Sequence, residues 1–154
     1  MPPVRPRKTN GARPAGPADL GALNGRLGYF VRRLQVWIFQ DLIRRLAALD
    51  LSPAQFSVIV VIAANPGLSQ AELAETLGIE RARLVRLLHR LERRGLTQRR
   101  ASRSDGRRHA LELTRQGRTM LAAAERLAAQ HEEALKDKLG VRRYRSLLAA
   151  LRAV

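Results

Sequence analysis

The arginines between residues 81 and 108 are the side chains of this sequence best suited to recognition chemistry. Eleven arginines stand there against two carboxylates, Glu92 and Asp105, which gives the stretch a net charge of +9. A guanidinium group is planar and always charged, and it forms paired hydrogen bonds with phosphate oxygens and with the edge of guanine. So dense a positive charge predicts a polyanionic partner, and we expect nucleic acid.

Several of these arginines share one side of a predicted helix, from about Glu80 to Arg94. On a helical wheel, Leu84, Val85, Leu87, Leu88 and Leu91 form an apolar side, and Ala82, Arg83, Arg86, His89, Arg90 and Arg93 form a polar side. A solvated face is the usual explanation for charge on a helix, but like charges four residues apart repel each other. Glu92 lies at the edge of the apolar side, where we expect it to shield little of this charge. The major groove of DNA is about 12 Å wide and accepts a helix. The predicted DNA contacts on this helix are Arg81, Ala82, Arg83, Arg86 and Arg90.

A shorter helix precedes the arginine-rich one. In the segment SQAELAETLG, Ser69 and Glu72 have the spacing of a capping box, and Gly78 is a helix stop. Two helices joined by a glycine-containing turn predict a helix-turn-helix. We expect Ser69 and Gln70, at the first turn of the short helix, to contact a DNA phosphate.

A β-hairpin is predicted after the second helix. Its strands are residues 96–101 and 109–113, and the stretch SRSDGRRHALELT, residues 102–114, contains the turn signal Asp105-Gly106 and the second strand. This stretch is either a solvated basic loop or an arm that reaches DNA. We interpret it as a DNA-contacting wing whose candidate contacts are Arg103, Asp105, Arg107 and Arg108.

The rest of the chain reads as helices around this unit. Residues 1–19 have no periodicity and predict a disordered basic tail. Apolar residues then recur every three or four positions from Leu20 to Leu49, which predicts one helix of about 28 residues, long enough to pack against a partner chain. Further helices are predicted from Ser52 to Ala64, from Thr114 to about Leu139, and after Gly140. The predicted fold is mainly α with a small β-hairpin. A helical dimerisation region, 20–50 and 115–154, flanks a winged helix-turn-helix domain, 51–114.

Composition excludes several other classes of protein. The net charge of +16 exceeds what solubility requires, and the chain has no cysteine for a disulfide, a thiol nucleophile or a Cys-ligated zinc. No apolar run approaches the roughly 20 residues of a membrane span, and no signal peptide is apparent, so we expect a cytoplasmic, nucleoid-associated protein. His89, His109 and His131 are too scattered for a metal site, and we expect each to lie on the surface. No cofactor is predicted, and no residue set suggests an enzyme.

The hairpin motif resembles the signature of the MarR family of bacterial winged-helix transcriptional regulators. Asp105-Gly106-Arg107, then Leu111-Glu112-Leu113-Thr114 and Gly117, match the pattern D-x-R followed by L-x-L-T-x-x-G. The resemblance extends over residues 20–153. It implies a homodimer, formed by the first and the last two helices, on a palindromic operator. It also implies that Arg107 enters the minor groove and that Asp105 orients it. Arg86 matches the family, whereas Ala82, Arg83 and Val85 replace the Ser, Thr and Thr of many members.

The resemblance also implies a small aromatic or anionic effector between the dimer helices and the DNA-binding domain. The candidate effector residues are Tyr29, Arg32, Arg33, Trp37, Gln40 and Phe56. The stretch GYFVRRLQ resembles the branch that responds to hydroxycinnamoyl-type CoA thioesters. The leading hypothesis is therefore an effector-released repressor of an aromatic-catabolism operon. The alternative is an architectural DNA-binding protein without an effector, in which Tyr29 and Trp37 belong to the dimer core and the arginines are solvated.

Overall fold

The computed structural model describes residues 18–101 and 109–153, which form helices and one hairpin. A 3₁₀ helix, Gly21–Gly25, precedes the regular elements. These are α1 Leu27–Ala47, α2 Pro53–Ala64, α3 Gln70–Leu77, α4 Arg81–Arg93, β1 Thr97–Ala101, β2 His109–Leu113, α5 Arg115–Leu139 and α6 Val141–Arg152. This confirms the mainly α fold with a small hairpin. Among the described residues, no helix combines the length and the apolar character that crossing a membrane requires.

Capping residues set the helix starts in the central part of the chain. Ser52 Oγ accepts from the backbone N–H of Gln55 at 3.2 Å, and the Gln55 side chain accepts from Ser52 N–H at 2.9 Å. The same reciprocal pair joins Ser69 and Glu72 at the start of α3. Gly78 ends α3 with φ +60°, a conformation that glycine adopts without steric cost. The predicted helix-turn-helix is confirmed to within a residue or two at each boundary.

We call the part from α2 to β2, residues 53–113, the central lobe, and its core is closed within one chain. β1 and β2 pair antiparallel with Thr97 opposite Leu113, and Leu111 N–H donates to the Leu68 carbonyl at 2.9 Å. Burying a leucine or isoleucine stabilises the fold by about 1.5–3 kcal/mol. The largest fully buried side chains of the lobe are Val58, Ile59, Leu73, Leu84, Leu88, Leu91, Leu96 and Leu111, and Leu46 of α1 belongs to the same core.

Thr114 and Gly117 lock the hairpin onto α5. Thr114 Oγ1 donates to the Gly95 carbonyl at 2.6 Å and accepts from Gly117 N–H at 2.9 Å, which caps α5. A Cβ at residue 117 would lie only 1.9 Å from the Leu96 carbonyl oxygen. This close approach of two backbones admits no side chain, which explains the glycine of the L-x-L-T-x-x-G pattern.

The prediction of one continuous first helix is wrong. The chain forms the short 3₁₀ helix, becomes extended at Arg26 (φ −106°, ψ 109°), and only then begins the 21-residue α1. Gly21 adopts φ +53°, outside the α-helical region, and Gly25 directly precedes the break. Glycine costs about 1 kcal/mol relative to alanine within a helix, so the apolar periodicity does not carry the helix through these positions.

The prediction that Val85 belongs to the core is also wrong. Val85 is exposed, and it lines a hollow of about 220 Å³ with Gln70, Ala71, Arg81 and Leu84. It stands at the edge of the apolar side of α4, and the first residues of α3 border the hollow beside it without closing it.

His131 is buried, contrary to the expected surface histidine. Its Nδ1 lies 2.7 Å from Asp41 Oδ2, which links α5 to α1. Arg45 also donates to Asp41 at 2.7 Å, and these hydrogen bonds from Arg45 and His131 hold the pKa of Asp41 far below its usual range. Leu127 and Leu135 lie four residues before and after His131, so helical spacing already placed the histidine on the packed face of α5.

Candidate nucleic-acid interface

The polar side of α4 presents an array of exposed cations. Arg83, Arg86 and Arg90 are exposed, as are Ala82 and Arg81 at its first turn, while Leu84, Leu87, Leu88 and Leu91 on the other side are buried. Within residues 18–101 and 109–153, none of the arginines from 81 to 90 forms an ion pair. Their charge is therefore available to an external anion.

The start of α3 lies beside this array. The Ser69 hydroxyl accepts from Glu72 N–H and also donates to Glu72 Oε2 at 2.6 Å, so the capping box already uses it. Gln70 borders the hollow that also contains Arg81 and Val85. With its amide oxygen toward β1, Gln70 accepts from Arg99 Nη1 at 2.9 Å. The structure thus places both residues next to α4, and each is engaged within the protein.

At the base of the hairpin, two arginines are neutralised. Arg99 Nε donates to Glu92 Oε1 at 2.7 Å, and Arg100 Nε lies 3.1 Å from Glu112 Oε2. We expected Glu92 to shield little of the charge on α4, and its partner is instead on β1. The pairing of a helix residue with a strand residue seven positions later depends on how β1 turns back, which the helical wheel does not represent.

The tip of the hairpin falls between the described ranges. Arg103, Asp105, Arg107 and Arg108 lie outside the described residues, and their assignment to DNA contact stays a prediction. The strands nevertheless bring the ends of this segment together, since Ala101 pairs with His109 in the sheet register.

The carboxyl end of α4 contacts the end of α1, a link that sequence reasoning missed. Arg94 Nη2 donates to the Leu49 carbonyl at 3.0 Å and Nη1 donates to the Asp50 carbonyl, where Asp50 has φ +51°. A cleft of about 590 Å³ opens beside this contact, lined by Asp50, Ser52, Gln55, Arg90, Arg93 and Arg94. No local pattern in the sequence signals a contact over more than forty residues.

The candidate effector residues divide into two groups. Tyr29, Arg33 and Trp37 follow one another at four-residue spacing on α1, with the Arg33 guanidinium 5.8 Å from the Tyr29 ring centroid. Lys138, which was not predicted, places its Nζ 4.6 Å from the Trp37 ring centroid. Arg32 and Gln40 are exposed, and Phe56 packs against the core of the central lobe. In the described ranges, no group of three or more His, Asp or Glu residues could hold a metal ion.

A helix-turn-helix followed by a two-stranded wing, with an exposed row of arginines on its second helix, defines the class of winged-helix proteins. Comparisons with known proteins identify the group within that class. The MarR family model matches residues 49–108. A Thauera aromatica protein described as a transcriptional regulatory protein for the hcr operon is 32% identical over 120 residues, which cover 77% of this chain and 72% of that one.

Solved structures agree with the sequence match. The transcriptional repressor CouR bound to a 23-mer DNA duplex is 43% identical, with a TM-score of 0.85 over 90% of this chain and 98% of that one. CouR bound to p-coumaroyl-CoA is 42% identical, with a TM-score of 0.80 over 87% and 94%. The chain belongs to the MarR family and is a transcriptional regulator.

Proposed function

We propose that this chain is a homodimeric, sequence-specific DNA-binding repressor that acts in the cytoplasm on the nucleoid. The observation that carries the proposal is the exposed arginine face of α4, whose charges have no partner among the described residues. Residues 51–114 bind DNA in this proposal, and residues 20–50 and 115–154 form the dimer. The solved complex of CouR with a DNA duplex supports this use of the fold.

In the proposed complex, α4 enters the major groove. Arg83, Arg86 and Arg90 are within reach of guanine edges and phosphates, and Ala82 allows close approach to a thymine methyl group. Two copies of α4 about 34 Å apart reach successive major grooves on one side of a palindromic operator. Exposed apolar side chains on α1 and α6 supply the surface that pairs the two copies.

We infer that a small aromatic or anionic molecule, an aromatic acid or its CoA thioester, releases the repressor from an aromatic-catabolism operon. Support comes from the relative bound to p-coumaroyl-CoA and from the aromatic and cationic row Tyr29, Arg33 and Trp37. A bound ring would take the place of Lys138 on Trp37, and the arginines would neutralise the anion. Binding would change the spacing of the two α4 helices and so lower the affinity for DNA.

Salt dependence tests DNA binding directly. Eight to ten phosphate contacts per dimer give a slope of about −7 to −9 in a plot of log affinity against log salt concentration. Fluorescence anisotropy with an operator duplex, selected from random sequence by this protein, measures the slope. A slope near zero would contradict the proposal.

Substitution of Arg86 tests sequence recognition. Loss of a paired contact to guanine lowers discrimination between bases by about 1–3 kcal/mol, so Arg86→Ala should weaken operator binding more than binding to a scrambled duplex. Arg126→Ala, which removes an exposed arginine from α5, is the control with the same charge change. Equal losses on both duplexes would reduce Arg86 to a phosphate contact. Arg107→Ala should weaken binding at A·T-rich flanks.

Thermal shift against aromatic acids and their CoA thioesters tests effector release. A saturable rise in melting temperature, together with weaker operator binding, is the expected result. Lys138→Ala should strengthen the response by freeing Trp37. If no compound acts on either quantity, the chain is an architectural DNA-binding protein in which this row belongs to the dimer core.

A further inference from the structure

A triad of side chains joins the hairpin to both helices of the helix-turn-helix. Arg99 on β1 donates through Nε to Glu92 Oε1 at 2.7 Å and through Nη2 to Glu92 Oε2 at 3.5 Å. With its amide oxygen toward β1, Gln70 accepts from the same guanidinium at 2.9 Å. The Glu92 and Arg99 side chains are 26% and 34% exposed, so the triad is partly shielded from water.

Neither a gain in stability nor a gain in DNA affinity explains why a carboxylate stands at position 92, beside the arginines of α4. A partly exposed ion pair contributes at most about 1 kcal/mol to stability. A carboxylate beside a cationic face also weakens the attraction of that face for phosphate. Glu92 offsets the charge of Arg99, which would otherwise add to the interface. The contact instead fixes an orientation, because two hydrogen bonds between a guanidinium and a carboxylate align the planes of the two groups.

The base of the hairpin is anchored, since Leu96 is fully buried and Thr114 Oγ1 donates to the Gly95 carbonyl, so the contacts of Arg99 act on the strands beyond that base. Only Arg94, Gly95 and Leu96 separate the two elements, and Gly95 turns the chain with φ +66°. Arg100, on the opposite face of β1, pairs with Glu112 on β2 and holds the two strands to each other. Arg99 is on the face of β1 toward the helices, so its contacts set the hairpin against α4.

We propose that Glu92 is a positioning residue which, through Arg99 and Gln70, fixes the angle between the wing and α4 and so determines sequence discrimination at the cost of general DNA affinity. This proposal rests on the proposed DNA-binding function. Fixing the angle allows α4 and the wing to meet their groove positions together on the correct sequence only. When the angle is free, each element finds phosphate contacts on any sequence.

Glu92→Gln removes the charge while keeping the shape of the side chain, and Glu75→Gln, on the exposed side of α3, is the control with the same charge change. Anisotropy measures the affinity of each variant for the operator and for a scrambled duplex. We expect Glu92→Gln to bind the scrambled duplex about twofold more tightly and to lose about three- to tenfold in the ratio of the two affinities. Glu75→Gln should leave the ratio unchanged. Equal ratios in the two variants would overturn the proposal.

The exchanged pair Glu92→Arg with Arg99→Glu keeps the net charge and restores the contact in reverse. It should recover most of the discrimination lost in Arg99→Glu, whereas no recovery would show that Arg99 acts on DNA directly. Hydrogen–deuterium exchange without DNA separates this proposal from the function it rests on. Amides of β1 should exchange faster in Glu92→Gln than in Glu75→Gln. If the β1 amides of the two variants exchange at the same rate, the positioning role is refuted, even when the wild type binds its operator. If the wild type shows no preference for its operator, the proposed function is refuted, even when the exchange rates differ.

Discussion

The central lobe and the terminal helices differ in how far their apolar side chains are buried. In the lobe, Leu84, Leu88 and Leu111 are at most 1% exposed, and the core closes within one chain. On α1 and α6, Leu27 is 79% exposed, Leu151 is 57% exposed, and α6 buries none of its described side chains. Leu46 of α1 and Ala124 of α5 complete the core of the lobe, whereas the outer sides of α1 and α6 leave large apolar side chains exposed.

The charges also differ between the two regions. Asp41 on α1 binds Arg44, Arg45 and His131, which links α1 to α5, and in the lobe Glu92 and Glu112 bind Arg99 and Arg100 of the hairpin. Within the described residues, the arginines of α4 form no ion pair, and neither do Arg142, Arg143 and Arg145 on α6. Unpaired charge is therefore not confined to the surface we assign to DNA, and what distinguishes α4 is that its arginines form a row on one exposed side.

The largest effect should come from a substitution in the contact between the lobe and α5. Gly117→Ala drives a methyl group against the Leu96 carbonyl, so a backbone must move, and we expect a loss of at least about 3 kcal/mol in the free energy of unfolding. Urea denaturation followed by circular dichroism measures it. A loss below 1 kcal/mol would show that the hairpin is not locked onto α5.

Substitutions on α1 and α6 should have a large effect on self-association. Replacing Leu27 and Leu151 with aspartate removes apolar area from the proposed dimer surface, and we expect self-association to weaken at least about a hundredfold, from about 1.5–3 kcal/mol for each of the two leucines. Sedimentation equilibrium measures the association. The hairpin and the helix-turn-helix should stay folded by circular dichroism. If association were unchanged, the comparison between closed lobe and open helices would fail.

Asp41→Asn tests the packing of α1 on α5. Loss of the charged acceptor should cost about 1–3 kcal/mol at pH 7, because Arg45 and the buried His131 lose their partner. The pKa of Asp41 is lowered in the folded state, so its contribution is complete above about pH 4 and fades as the pH falls further. The stability difference between wild type and variant, measured by urea denaturation, should therefore shrink below pH 4. A difference that is constant from pH 7 to pH 3 would show that the carboxylate charge does not hold the two helices together.

The smallest effect should come from Gly28→Ala. Unlike Gly117→Ala, it should raise the free energy of unfolding. A Cβ at Gly28, in the first turn of α1, meets nothing within 4 Å in the described chain. Gly28→Ala should stabilise the protein by up to about 1 kcal/mol through higher helix propensity. Melting temperature at two protein concentrations measures the gain and separates it from any change in association. A clear loss would place Gly28 against a close neighbour in the partner copy.

Local sequence patterns were sufficient to predict the order of helices and strands in the lobe. Capping residues at Ser52, Ser69 and Thr114 and the stop at Gly78 act over three or four residues, so local patterns were enough. The motif through Gly117 resembles the family's signature, and the structure gives the reason for its glycine, because the Leu96 backbone leaves no room for a Cβ there. The exposed arginine row of α4 followed from helical periodicity alone.

Which polar groups contact each other depends on the packing of separate elements and could not be predicted from local patterns. Asp41 with His131, Arg94 with the end of α1, and Arg99 with Glu92 and Gln70 come from different elements, and their contacts depend on how those elements turn and pack. Val85 is exposed because the start of α3 borders the hollow beside it without covering it. A periodic pattern states which side of a helix is apolar, but the neighbouring element decides what covers that side, and that neighbour is set by packing over long distances in the chain.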